Sequence, residues 1–211
     1  MGSGRLPMPP GVAVRAAEVA TGERVPTVPR DAATVVLLRP APAGFEVLLL
    51  CRARAMDFAP GAHVFPGGSV DPGDADVAAA AVRETFEECG VQVDAADLVP
   101  WGRWITPEIS DRRFDTWFFV AALPPGASFA VSDAESDAAE WLTPAAALDA
   151  ARAGRITLLP PTAVTLASLT SFVSIGEVLA QRPAITPLMP SVVIEEGQPW
   201  LEMPAGVEYP L

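Results

Sequence analysis

Blocks of apolar positions, bounded by proline and glycine, recur along the chain, and several of them predict β-strands. ATVVLLR (33–39) and FEVLLLC (45–51) are β-branched and aliphatic runs separated by PAPAG, which predicts a hairpin. LVPWGRWIT (98–106) and RFDTWFFVAAL (113–123) predict two further strands. SVVIEEGQPWLEMP (191–204) has the pattern of a last hairpin.

Helical patterns occur between and after these strands. TPAAALDAAR (143–152) opens with threonine and proline, and PTAVTLASLTSFVSIGEVLAQ (161–181) predicts a longer helix that must end before Pro183. Residues 1–32 are rich in proline, glycine and alanine without sustained periodicity, which predicts a flexible or draped N-terminal arm. Residues 33–211 then form a single domain, an α/β sandwich with a mixed sheet.

One predicted helix, VAAAAVRETFEEC (77–89), concentrates negative charge near its C-terminus. Asp74 or Asp76 is a suitable N-cap, and Gly90 is a suitable stop. Three carboxylates share one helix face at i, i+3 and i+4: Glu84, Glu87 and Glu88. An apolar stripe lies opposite and is expected to face the core: Val82, Phe86 and Cys89.

Composition excludes several classes of protein. The formal net charge is −12, which argues against nucleic-acid and anionic-membrane surfaces. All 14 basic residues are arginine, so mechanisms that use lysine are excluded. His63 is the one histidine, which rules out zinc sites with two histidines. Cys51 and Cys89 are expected to be reduced thiols in a cytoplasmic protein. The lysine-free, alanine- and proline-rich composition is typical of a bacterial protein, and a homodimer is left open.

The carboxylate cluster is unfavourable by itself. Like charges at these spacings cost about 0.2–0.5 kcal/mol per pair, and a carboxylate near a helix C-terminus costs about 0.3–1 kcal/mol more. A charged helix face is usually just solvated, but AHVFPGGSVDPGDAD (62–76) places a short strand and a glycine-rich turn directly upstream. Glycine there allows a backbone carbonyl to turn toward the carboxylates. A divalent cation would make the cluster favourable, and oxygen ligands suit Mg²⁺ or Mn²⁺.

The segment from Gly68 to Val91 resembles the Nudix box, Gly-x5-Glu-x7-Arg-Glu-U-x-Glu-Glu-x-Gly-U, in which U is a bulky aliphatic residue. Seven positions match in place: Gly68, Arg83, Glu84, Glu87, Glu88, Gly90 and Val91. Three features depart from the pattern. Asp74 replaces the first glutamate, eight residues rather than seven separate it from the arginine, and Thr85 occupies the first U position.

This resemblance implies an α/β/α sandwich with a central mixed β-sheet, and hydrolysis of a nucleoside diphosphate linked to another moiety. It implies that Mg²⁺ or Mn²⁺ is held by Glu84, Glu87, Glu88 and the Gly68 carbonyl. Arg83 would orient a glutamate of the box. The general base is left between Glu84 and Glu108, the latter in the TPEISDRRFD loop.

The stretch that precedes the box is similar to the coenzyme A diphosphatase motif, Leu-Leu-Thr-x-Arg-(Ser/Ala)-x3-Arg-x3-Gly-x3-Phe-Pro-Gly-Gly. LLLCRARAMDFAPGAHVFPGG (48–68) matches it in part, with Leu50 in place of the threonine and Asp57 in place of the second arginine. FAPGAHVFPGGSVDPGDAD with RETFEE resembles the peroxisomal branch more closely, without the long insertion common there. The resemblance implies coenzyme A or an acyl derivative as substrate. An ADP-sugar or dinucleotide, or a catalytically silent ligand sensor, is the alternative.

Five polar residues around the box are candidates for substrate binding: Arg52, Arg54, His63, Arg112 and Arg113. Each has a competing structural reading. The two arginines of CRAR alternate along the predicted strand and would point to one face, where phosphate binding and solvation are equally reasonable. The histidine is typical of a satisfied mid-strand residue, and the Arg-Arg pair is equally typical of a solvated loop. Three tryptophans are more typical of sheet packing than of base stacking: Trp101, Trp104 and Trp117.

Overall fold

The computed structural model describes residues 5–54, 59–127, 129–130 and 136–211. The strands are β1 Arg5–Pro7, β2 Arg30–Ala41, β3 Gly44–Arg52, β4 Ala62–Val64, β5 Gly67–Ser69, β6 Val99–Ile105, β7 Phe114–Ala122, β8 Ser136–Leu142, β9 Thr157–Leu158, β10 Pro187–Leu188, β11 Ser191–Glu195 and β12 Gln198–Glu202. The α-helices are α1 Gly11–Thr21, α2 Val77–Cys89, α3 Pro144–Arg152, α4 Pro160–Leu169 and α5 Ile175–Leu179, and a short 3-10 helix spans Ala95–Asp97.

β2 is the centre of the main sheet, which contains nine of the described strands. It runs parallel to β7 and antiparallel to β3 and β5, so the sheet is mixed as predicted. β5 pairs with the beginning of β2, at Ala32 to Thr34, whereas β3 pairs with its end, at Leu38 to Ala41. The sheet is therefore split beside β2, and the short glycine-containing strand β5 leads directly into α2.

Helices cover both faces of this sheet, which confirms the α/β/α sandwich. Alternate residues of β2 explain the two cores, because successive side chains point to opposite faces. Val35 and Leu37 pack on the side of α2, against Ala80 and Ala81. Even-numbered β2 residues pack on the other side with buried residues of α3, α4 and α5. Because both faces are covered, β2 is an unbroken apolar run rather than an alternating one.

The chain termini build a second, three-stranded sheet in the order β1-β12-β11. The predicted hairpin at 191–204 is confirmed as β11 and β12. β1 joins it because Arg5, Leu6 and Pro7 pair with β12, and α1 lies against the same hairpin. Leu6 packs on the core that contains Leu201, so the described part of the N-terminal arm covers the domain. A strand of three residues is too short to show periodicity in the sequence.

The single long helix predicted for residues 161–181 is wrong, because two helices occupy this segment. α4 ends at Leu169, and the hydroxyls of Ser168 and Thr170 bond to backbone carbonyls three residues earlier, which competes with helical pairing. Ser174 then caps α5 by accepting a hydrogen bond from the Glu177 amide. The Glu177 carboxylate reaches back to the amide of Val173, in a variant of the capping box.

Several strands were not anticipated from the sequence, and β8 is the longest of them. β8 pairs with β3 in antiparallel register from Val47 to Arg52, although SDAAEWL has little β-branched character. Trp141 supplies much of the packing, because its ring lies under the Arg39 guanidinium and against the core on the α2 side. Among the described residues, no helix combines the length and apolar character needed to cross a bilayer.

Candidate active site

Two glycines allow β5 to lie between β2 and α2. Gly67 has φ of 153°, and a Cβ there would lie 2.3 Å from the Ala33 carbonyl oxygen. A Cβ on Gly68 would lie 2.4 Å from Oε1 of Glu84. Neither position has room for a side chain, so the two glycines bring the β5 backbone directly against the carboxylates of α2.

Arg83 is the centre of the polar network on this helix. Its guanidinium donates two hydrogen bonds to the Asp74 carboxylate, at 3.1 and 2.9 Å. It also donates to Glu84 Oε1, Glu87 Oε2 and the Ser69 carbonyl oxygen, at 2.9, 2.9 and 3.0 Å. The guanidinium beside Asp74 lowers the pKa of that carboxyl, and the same hydrogen bond is the largest cause of a raised Arg83 pKa. Arg83 therefore holds the loop and the helix carboxylates together.

Asp74 reaches Arg83 despite its shorter side chain and the extra residue before the arginine. Its Oδ2 also accepts a hydrogen bond from the Asp71 amide at 2.8 Å, which closes the turn before α2. The role of N-cap falls to Asp76, whose Oδ1 accepts from the Ala79 amide at 2.9 Å. The sequence left the N-cap between these two aspartates, and the structure gives each a separate function. Gly90 ends the helix in the left-handed conformation, as predicted.

The predicted apolar stripe of α2 is partly wrong. Phe86 is 53 % exposed, whereas Thr85 and Glu88 are buried. The helix is rotated so that Glu88, only 9 % exposed, points toward β5 and accepts a hydrogen bond from the Gly67 amide at 2.9 Å. Thr85 is tolerated inside because its hydroxyl donates to the Ala81 carbonyl oxygen. In this orientation the Gly67 amide has a hydrogen-bond acceptor, and the Phe86 ring is left exposed.

A cavity of about 640 Å³ opens beside the carboxylates. Its lining includes Glu84 of α2 and the β5 backbone. It also includes apolar side chains from distant parts of the chain: Trp104, Phe114, Phe118, Pro160, Pro161 and Leu201. Three threonines contribute as well: Thr34, Thr106 and Thr116. The cavity thus combines a carboxylate with a large apolar surface, within the size range of ligand sites.

Arg52 and Arg112 both line this cavity, and their role in substrate binding stays a prediction. Arg54 is not among the lining residues, and its predicted place on a strand beside Arg52 is wrong. β3 ends at Arg52, and Arg54 is exposed in a turn where its amide bonds to Asp137. Asp57, which replaces the second arginine of the coenzyme A diphosphatase motif, lies outside the described residues.

Arg113 and His63 are buried rather than cavity-lining. The Arg113 guanidinium binds the carbonyl oxygens of Thr106 and Thr27, so the loop solvation considered for it is wrong. His63 lies in β4 opposite Cys51, and burial lowers its pKa, which favours the neutral imidazole. Its Nδ1 has no hydrogen-bond partner within the described part of the chain. It is thus not the satisfied histidine of the structural reading.

Two further sequence expectations can be compared with the cavity. Glu108 is exposed and lies outside the cavity lining, although Thr106 and Pro107 of its loop contribute to it. Trp104 packs in the core, as expected, and it also lines the cavity. The prolines at the start of α4 and Leu201 of β12 were missed, because no local sequence signal links them to residues near Gly68.

The carboxylates of α2 are paired with protein groups in this structure. Across the described ranges, no three histidine, cysteine or acidic side chains are gathered as a metal site. Arg83 binds Glu84 and Glu87, and the Gly67 amide binds Glu88. The arrangement is an oxygen-rich edge whose negative charge is partly compensated by one arginine.

Comparison with known proteins identifies relatives on the same elements. Nudix hydrolase 7 of Caenorhabditis elegans is 29% identical over 179 residues, 66% of this chain and 60% of that protein. An acyl-coenzyme A diphosphatase of Xenopus laevis is 24% identical over 63% of this chain and 62% of its own length. The chain thus spans about 60% of the length of these curated relatives.

Solved structures share the architecture. A NUDIX hydrolase from Alicyclobacillus acidocaldarius is 28% identical with a TM-score of 0.67, covering 74% of this chain and 97% of that one. An Ap4A hydrolase of Caenorhabditis elegans is 23% identical with a TM-score of 0.53, covering 68% and 96%, and shares the fold. Residues 28–160, more than half of the chain, match the NUDIX domain. With Gly68 and Glu84 of the box in the cavity lining and Arg83 bonded to Glu84 and Glu87, this chain belongs to the Nudix hydrolase family.

Proposed function

We propose that this protein hydrolyses the diphosphate linkage of a nucleoside diphosphate derivative in a metal-dependent reaction, with coenzyme A or an acyl-coenzyme A as the first candidate substrate. The observation that carries the proposal is the position of Glu84. Its carboxylate lies at the cavity edge, against the Gly68 backbone, with Glu88 buried one helical turn further on. A ligand in the cavity would meet the Glu84 carboxylate.

The donor set fits a hard divalent cation. All side-chain donors are carboxylate oxygens, and a Cβ on Gly68 would fill the space that the Glu84 carboxylate now occupies. Glu84, Glu87, Glu88 and the Gly68 carbonyl would hold Mg²⁺ or Mn²⁺, ions that prefer oxygen ligands. The chemistry supplied by a bound ion is neutralisation of phosphoryl charge and a lower pKa for the attacking water.

The protein groups have separate functions in this proposal. Arg83 orients Glu84 and Glu87 and ties them to the loop through the Ser69 carbonyl. Arg52 and Arg112 lie on the cavity wall, where guanidinium groups can form paired hydrogen bonds with phosphate oxygens. Of the two candidate bases, position supports Glu84, because it lines the cavity and can accept a proton from a water beside the diphosphate.

The apolar residues of the cavity lining support a substrate with more than a nucleotide. Trp104, Phe118 and Leu201 offer apolar surface to the moiety that the diphosphate joins to the nucleotide. A pantetheine chain, with or without an acyl group, has the required extended and partly apolar character. The relationship to an acyl-coenzyme A diphosphatase supports the same substrate class.

A substrate panel tests the proposal. Purified protein is incubated with coenzyme A, 3′-dephospho-coenzyme A, ADP-ribose and diadenosine polyphosphates, with Mg²⁺ or Mn²⁺, and the products are identified by mass. Coenzyme A should yield adenosine 3′,5′-bisphosphate and 4′-phosphopantetheine and should have the highest kcat/KM. A clear preference for ADP-ribose would replace the coenzyme A assignment by an ADP-sugar diphosphatase. No hydrolysis of any compound, with binding retained, would indicate a ligand sensor.

Glu88→Gln tests the carboxylate edge separately. A glutamine oxygen can still accept the hydrogen bond from the Gly67 amide, so the fold should be kept. The change removes a ligand charge, and we expect kcat to fall at least about a hundredfold, roughly 2.7 kcal/mol in the activation free energy. Millimolar Mg²⁺ or Mn²⁺ should raise the melting temperature of the wild type more than that of the variant. Equal shifts and unchanged kcat would place the metal elsewhere.

A further inference from the structure

Arg113 is a buried cation that touches three separate segments of the chain. The residue is 7 % exposed, and it directly precedes β7 in the chain. Nε donates to the Thr106 carbonyl oxygen at 3.0 Å, Nη1 donates to the Thr27 carbonyl oxygen at 2.8 Å, and Nη2 lies 3.4 Å from the Met189 sulfur. These partners belong to the loop after β6, the segment before β2 and the segment before β11.

Two of the three contacts of Arg113 reach the cavity wall or the residue next to it, although Arg113 itself is not in that wall. Thr106 lines the cavity, and Pro190, which follows Met189, also lines it. On either side of Arg113 in the chain, Arg112 and Phe114 line it too. A second bond joins the same parts, because the Phe114 amide donates to the Thr106 hydroxyl at 3.1 Å.

The segment before β2 holds this loop at a second point. Asp111 of the loop accepts a hydrogen bond from Arg24 at 2.8 Å and lies 3.6 Å from Arg15 of α1. Arg24 is in turn bonded to Glu18 of α1 at 3.1 Å. α1 and the segment that follows it therefore contact the loop at two points. Arg15 and Arg24 bind Asp111, and the Thr27 carbonyl oxygen accepts a hydrogen bond from Arg113.

We propose that Arg113 is a positioning residue: it holds the wall that carries Arg112 and Thr106 at the distance from the α2 carboxylates that the substrate requires. The inference rests on the proposed function, since the cavity must be the substrate site. Because Arg113 acts through the cavity wall, its loss would weaken binding of the substrate and of the transition state equally. The effect should therefore appear in KM rather than in kcat.

The experiment compares Arg113→Lys with Arg103→Lys in the full chain. Lysine cannot reproduce a planar fork that reaches carbonyl oxygens on two segments. Arg103 is a matched control, because it forms two hydrogen bonds of 2.7 Å to Asp115 but is not in the cavity lining. The measurements are kcat and KM on the best substrate of the panel, Kd for ADP by calorimetry, and the melting temperature.

For Arg113→Lys we expect KM and the Kd for ADP to rise about tenfold, with kcat within about twofold of wild type. Arg103→Lys should lower the melting temperature without either change. KM and Kd at wild-type values in Arg113→Lys, or a fall in kcat alone, would overturn the inference. If the wild type hydrolyses no compound of the panel, the proposed function fails, and the Kd values for ADP of the wild type and Arg113→Lys alone decide the positioning role. If the wild type does not bind ADP either, the positioning role is overturned as well.

A second variant covers the case in which Arg113→Lys does not fold. Asp111 is 66 % exposed, so Asp111→Asn should fold normally while loosening the outer grip on the same loop. We expect KM to rise about twofold to threefold at low ionic strength, and the difference from wild type to shrink in high salt, because exposed ion pairs are weak and screened. Identical KM values at low salt would count against the inference.

Discussion

Gly68→Ala is the sharpest local test of the carboxylate edge. The new Cβ would lie 2.4 Å from Oε1 and 2.5 Å from Cδ of Glu84. Ordinary contact between such atoms begins near 3.4 Å, so the carboxylate must move by about 1 Å. The clash falls on the end of a flexible side chain, so the free energy of unfolding should change by less than about 1 kcal/mol, a shift of about 2–4 °C or less. A displacement of this size at a reacting centre costs on the order of a hundredfold in kcat/KM.

Two other glycines of the same region provide controls for this variant. Gly73 has open space around the position of a Cβ, so Gly73→Ala should leave both kcat/KM and the melting temperature unchanged. A Cβ on Gly67 would meet the backbone of Ala33 and Thr34, and overpacking of this kind costs about 1–3 kcal/mol or more. Wild-type kcat/KM in Gly68→Ala would refute the assignment of Glu84. Activity lost only in proportion to a drop in melting temperature like that of Gly67→Ala would assign the effect to the fold.

Two further predictions follow from the titration of buried groups. The hydrogen bond from Arg83 lowers the pKa of Asp74 below its ordinary 3.8, so this pair stabilises the fold above that pH and loses its effect as pH falls through the folded value. The wild type should therefore melt higher than Asp74→Asn at neutral pH, and thermal melts should show this gap closing as the pH falls below 3.8; a gap that is constant with pH would contradict the pairing. Burial raises the pKa of the Cys89 thiol to about 12, so a Cys51→Ser variant should not react with a thiol reagent near neutral pH until it is unfolded. Labelling of that native variant, followed by mass, would show that Cys89 is accessible.

The box itself could be read from the sequence because its chemistry is local. The carboxylates of α2 follow one another at helical spacing, and Asp74 is only nine positions from Arg83. Secondary structure could be read where the pattern was strong. The prediction was wrong for residues 161–181, because the apolar pattern continues through the break. Ser174 and Glu177, which cap α5, were the sequence signal for a new helix start.

The cavity could not be read in the same way. Its apolar wall joins Trp104, Pro160 and Leu201, which come from β6, α4 and β12 and are brought together only by the sheet and by the hairpin near the C-terminus. Arg112 and Arg113 are neighbours in the sequence and were interpreted together. Successive side chains of an extended chain point in opposite directions, so one lines the cavity and the other is buried among backbone carbonyls.

The sequence by itself determined the family, the acidic helix and the strands with a strong apolar pattern, because these depend on spacing within short segments. Tertiary structure alone decided the orientation of that helix and the shape of the site. The apolar count of α2 favours burial of Phe86, yet the unpaired Gly67 amide of β5 requires an acceptor, and the buried Glu88 provides it. That requirement arises only when the two segments meet, since the Gly67 amide is part-buried there and a buried amide without a partner costs about 1–3 kcal/mol.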